Sequence, residues 1–124
     1  MGVKLIKIAA VYFVIGIGFG MFMSMSHTFD YTSVHAHINL LGWASLGLAG
    51  VIYHLFPKAG KSTAGKIHFW LHNIGLPIMM IGLILLSGGS EGVEPVIAVG
   101  GVLVTLGILS FLYNVFTNIK SSAK

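Results

Sequence analysis

The chain has 124 residues, of which 56% are apolar and 8% charged, where an ordinary soluble domain carries about a quarter charged residues. Three carboxylates cannot solvate a globular surface, which excludes a soluble domain, and the absence of cysteine excludes a disulfide framework, a thiolate metal site and a thioether-linked cofactor. The net charge of +4 comes from seven lysines and no arginine, and their placement points to a lipid bilayer as partner and not to nucleic acid.

A membrane helix needs about 20 mostly apolar residues to cross about 30 Å of hydrocarbon. Four stretches qualify, at residues 5–25, 34–56, 67–87 and 93–116. The expectation is an all-α fold, a single four-helix transmembrane domain over residues 1–124. The first stretch follows Lys4 and Lys7 as a signal peptide would, but its apolar run is too long and Ser24-Met25-Ser26 is a poor cleavage site. The connecting stretches 26–33, 57–66 and 88–94 hold most turn-forming and charged residues. Lys4, Lys7, Lys58, Lys61, Lys66, Lys120 and Lys124 all fall on one side of this topology, and Asp30, Glu91 and Glu94 on the other. The positive-inside rule then predicts a multi-pass protein of the cell (inner) membrane with both termini and the second loop cytoplasmic. Gly16, Gly18 and Gly20 in the first helix, and Gly42, Gly47 and Gly50 in the second, are spaced for close helix contact. Packing within one bundle and an oligomer seam both fit that spacing.

Ionisable side chains inside a bilayer are costly, so each of the six histidines needs a partner or a function. Counting inward from the first loop at about 1.5 Å per residue puts His27 and His35 at similar depth and His37 about 3 Å further in. Counting from the second loop puts His54 and His68 level, near water, and His72 about 6 Å deeper. The two layers are about 25 Å apart along the second helix, too far for one small cofactor. His35 and His37 sit two positions apart, about 200° around a helix, so they serve opposite faces and cannot chelate one metal. Neutral imidazole can ligate iron through either ring nitrogen, and Ala36 between them leaves room for a flat macrocycle. His68 and His72 share a face at i,i+4 and His54 lies near them in level; such a cluster can bind zinc or copper, or relay protons. No carboxylate or thiolate is near these three, which favours interfacial or hydrogen-bonded histidines. His27 reads as a loop or interface residue.

Residues 34–57 read VHAHINLLGWASLGLAGVIYHLFP and residues 66–75 read KIHFWLHNIG. This run resembles heme-copper oxidase subunit I: a His-x-His pair opens an apolar helix ending in aromatic-Pro, and the next helix opens on a His-Phe-Trp start. It is most similar to the C-family oxidases and nitric oxide reductases, over about 50 residues. The resemblance implies one third of the twelve-helix subunit, with His35 in the place of the high-spin haem ligand and His37 in that of the low-spin ligand. His27 takes the place of a residue near the outer metal and propionate region. No segment here matches the copper-binding histidines of the family, and without arginine the propionates would meet backbone N–H groups, histidines, Asn39 or Trp43.

Three copies of a four-helix chain make twelve helices, so the resemblance implies a homotrimer with haem b between protomers, ligated by His35 and His37 of different chains. Bis-histidine iron is six-coordinate, which favours electron transfer with a redox partner. A five-coordinate haem that binds, senses or reduces nitric oxide or oxygen is the alternative, and a haem-free assembly or structural partner of an oxidase is a third reading. An enzyme here would be an oxidoreductase without a recognisable copper site.

Overall fold

A computed structural model describes residues 1–121, so Lys124 lies outside the described residues. Four helices are long and apolar enough to cross a membrane: α1 (Gly2–Ser26), α2 (Thr32–Leu55), α4 (Thr63–Ser87) and α5 (Glu94–Asn118). A short helix, α3 (Pro57–Lys61), lies in the second connection. Among the described residues there is no strand. The sequence-based boundaries hold to within four residues. The largest shift is at α4, which starts before its apolar run because the Ser62 hydroxyl caps it, accepting the Gly65 N–H at 3.0 Å. At the other end of α1, His27 adopts the left-handed conformation (φ 54°) and its N–H closes the helix on Met23 O.

The chain folds as two hairpins. In the α1–α2 hairpin, a β-carbon on Gly2 would lie 2.6 Å from Gly50 O, and one on Gly42 would lie 2.6 Å from the Tyr12 ring. In the α4–α5 hairpin, a β-carbon on Gly75 would lie 2.9 Å from Gly100 O, and one on Gly100 would strike the Met79 backbone. These glycines let the backbones approach to a distance no side chain permits, the usual means of helix association where lipid removes the hydrophobic drive between helices. Gly100→Val should therefore destabilise the α4–α5 pair by about 3 kcal/mol, read as a fall in the unfolding midpoint in detergent. Gly101→Val is the control, since its β-carbon would meet nothing closer than the flexible Met79 sulfur at 3.7 Å.

The hairpins meet through α2 and α4. A third of the most apolar window is buried in each of these helices, against 17% in α1 and in α5. The four helices thus form an open arc with α1 and α5 as flanks. Those flanks expose large apolar side chains such as Val14, Phe22, Tyr113 and Phe116, which suits a bilayer.

One local feature has no counterpart in the apolar pattern. Residues Ile38–Ala44 of α2 are π-helical, and the Ser45 N–H reaches back five residues to Leu40 O. The Ser45 hydroxyl donates to the same carbonyl at 2.8 Å. Such widened turns are rare and cluster at functional sites. This one lies between the two histidine layers.

Candidate functional site

Named by the predicted topology, the outer layer holds His35 and His37 and the inner layer holds His54, His68 and His72; the outer layer is built where the start of α2 crosses α1. His35 is half-buried, and its Nδ1 lies 2.8 Å from Gly16 O. A carbonyl only accepts, so Nδ1 carries the hydrogen and, in the neutral ring, Nε2 keeps its lone pair. The Asn39 amide donates to His35 O at 2.8 Å and approaches Nδ1 at 3.3 Å, fixing the first turn from below. The ring rests on Gly20, where a β-carbon would come within 2.9 Å of His35 Cε1. Gly16 does the same for Asn39, whose amide would lie 2.6 Å from an added β-carbon. The small-residue pair in α1 thus makes room for His35 and Asn39 inside the bundle.

His37 points elsewhere. Its Nδ1 lies 2.8 Å from Ser33 O and 3.3 Å from the Ser33 hydroxyl, one turn back on its own helix. The same reasoning leaves its Nε2 with a free lone pair. The two imidazoles share one polarity, Nδ1 tied to a backbone carbonyl and Nε2 open, on different sides of α2. Trp43 stacks on Phe13 of α1 with ring centroids 4.4 Å apart and planes 14° apart, and keeps 37% of its surface exposed. Asn39 is engaged with His35, while the His27 side chain is exposed at the α1 cap.

The inner layer divides differently from its sequence spacing. His54 is exposed, whereas His68 and His72 are 1% and 0% exposed. The depth count placed His68 near water, but α2 and α5 close over it. Tyr53 OH lies 2.8 Å from His68 Nδ1, His68 Nε2 lies 3.2 Å from His72 Nδ1, and His72 Nε2 lies 2.9 Å from Leu41 O. Leu41 is in the π-helical stretch. Its carbonyl can only accept, so His72 carries hydrogen on Nε2. Neutral rings then require His68 to donate from Nε2 and Tyr53 to donate its hydroxyl hydrogen to His68 Nδ1. Behind Tyr53, the buried Asn114 amide donates to the Tyr53 hydroxyl at 3.4 Å and to Ala59 O at 3.0 Å. Tyr53 and Asn114 are not among the residues singled out from the sequence, although each is a polar side chain within a membrane-spanning helix. Among the described residues, no three histidines or carboxylates gather into a metal-ion cage.

Two curated proteins are similar to this chain. Over 75 residues the chain is 35% identical to the cbb3-type cytochrome c oxidase subunit CcoN1 of Stutzerimonas stutzeri, covering 56% of this chain and 16% of that protein. Over 131 aligned positions it is 29% identical to cytochrome c oxidase subunit 1 of Rhodobacter capsulatus, covering 82% of this chain and 25% of that protein. The chain is related to subunit I of the heme-copper oxidases. It spans between 16% and 25% of the length of these curated relatives. No family profile matches the chain, and no solved structure matches it.

Proposed function

We propose that this chain is a haem b-binding electron carrier of the cell inner membrane, with both termini on the cytoplasmic side and His35 and His37 as iron ligands. The observation that carries the reading is the shared polarity of the two imidazoles. Each Nδ1–H is held by a carbonyl, at Gly16 and at Ser33, so each Nε2 is presented in a fixed tautomer and a fixed plane, as ligating histidines require. Gly20 supplies the cradle beside the His35 ring. The donor set fits: imidazole nitrogens suit haem iron, and the relationship to oxidase subunit I points to the same group. Bound haem supplies a one-electron redox centre. The residues' part is to hold two ring planes, to keep Nδ1 protonated, and to exclude water with the apolar faces of α1 and α2.

Because His35 and His37 leave α2 on different sides, one protomer offers a single Nε2 to any one haem. Six-coordination then requires a second copy, and a homotrimer completes twelve helices. The same observation favours a second reading, a monomer whose five-coordinate iron binds nitric oxide or oxygen. Reduced-minus-oxidised spectra with and without carbon monoxide, together with native mass measurement, separate the two. The expected result is an oligomer whose spectrum carbon monoxide leaves unchanged. A haem-loaded monomer with a carbon monoxide shift overturns the inter-chain arrangement, and protein without a Soret band after haem is supplied favours the haem-free assembly role.

A further inference from the structure

The proposed haem ligands leave the inner histidines without a role, and their arrangement is more specific than a helix tie requires. We propose that Tyr53, His68 and His72 form a proton relay running from the lysine-bearing end of the bundle to a resting position on His72. The three groups are hydrogen-bonded in series at 2.8 and 3.2 Å, and the series ends at 2.9 Å on the carbonyl of Leu41. Every link sets donor against acceptor in one direction, because the terminal carbonyl fixes His72, His72 fixes His68, and His68 fixes Tyr53.

The Tyr53 end of the series is buried but adjoins a crevice at the lysine-bearing end of the bundle. Tyr53 lines a crevice of about 190 Å³ together with Met1, His54, Pro57, Gly60 and Lys61. The inner end is sealed, with His72 wholly buried. The other titratable group touching this imidazole pair, among the described residues, is Tyr53 from α2. From α5 come Phe111, with its ring 4.9 Å from that of His68, and Asn114, which reaches the pair through Tyr53.

The transfers balance. A proton reaches the Tyr53 oxygen from the crevice as the hydroxyl hydrogen passes to His68 Nδ1. His68 hands its Nε2 hydrogen to His72 Nδ1, and regains neutrality in the other tautomer. His72 then carries hydrogen on both nitrogens, with Nε2–H still on Leu41 O, and the positive charge rests there. Release runs the same transfers backwards. Leu41 lies four residues below His37 on α2, about 6 Å along the axis, so a proton at His72 sits beneath the outer layer. On the haem reading proposed above, that charge offsets an added electron.

The test uses full-length protein in nanodiscs with ¹⁵N-labelled histidine. His68 and His72 should show neutral Nε2–H rings whose hydrogens exchange with deuterated solvent. Tyr53→Phe keeps the ring and removes the transferable hydrogen, and should slow both exchanges at least tenfold with helix content unchanged. His72→Gln, which can still donate to Leu41 O, should leave His68 exchange intact, because His68 is nearer the intake. Unchanged exchange in Tyr53→Phe overturns the relay, since protons would then enter elsewhere, for instance by the 200 Å³ cavity that His68 lines with Ser45 and Leu48. Exchange absent in the unsubstituted protein overturns it as well. Where haem is bound, indicator dye should report proton uptake on reduction that Tyr53→Phe abolishes. Loss of haem with exchange retained refutes the haem reading and leaves the relay standing.

Discussion

His35→Ala and His37→Ala should each yield protein that inserts into the membrane with its helix content intact and carries almost no haem, judged by the Soret absorbance per protein. Each substitution removes an Nε2 lone pair, and neither leaves a buried polar group without a partner. Gly16 O, midway along α1, and Ser33 O, in the first turn of α2, each lose a side-chain hydrogen bond, a stability change of about 1 kcal/mol. The effect on the cofactor is far larger than the effect on the fold because the iron bond, not the packing, is what disappears. His68→Gln separates a ligand from a merely buried histidine, since it should disturb the inner chain and leave haem content at the level of the unsubstituted protein. Full haem in both His35→Ala and His37→Ala would remove the assignment. Loss in one only, with a new carbon monoxide shift, would mean a single axial ligand.

The helices were legible because four apolar runs of membrane length leave little else for the chain to do. The boundaries moved where a cap, not hydropathy, decides the start, as at Ser62. Opposite faces for His35 and His37 also followed from helix geometry alone. Three things did not. The π-helical stretch depends on Ser45 competing for Leu40 O, which no apolar period records. The burial of His68 depends on α5 laying Phe111 across it, a contact between segments more than forty residues apart. Gly16 and Gly20 read as a helix seam, but what fills the notch they make is a pair of polar side chains from α2. Spacing shows that a surface is recessed and leaves open what occupies it.

That notch yields the second large effect. Gly20→Leu should cut haem affinity by roughly 10- to 100-fold, the range seen when a ligand's supporting contacts are lost, although Gly20 ligates nothing. Its β-carbon alone would stand 2.9 Å from His35 Cε1 and 3.3 Å from Nδ1, and the rest of the leucine must occupy the same space. The ring has to swing away, and the 2.8 Å bond from Nδ1 to Gly16 O breaks. With that bond gone neither the tautomer nor the plane of the imidazole is fixed, so Nε2 is no longer presented in one direction. The control lies one half-turn away: a β-carbon on Gly18 would meet nothing within 4 Å, so Gly18→Leu adds the same apolar bulk without touching the ring. Haem titration followed by Soret absorbance should show Gly18→Leu binding as the unsubstituted protein does and Gly20→Leu binding weakly. Equal binding by both variants would mean that His35 is not held by this contact when the iron is bound, and the site would have to be rebuilt around His37 alone.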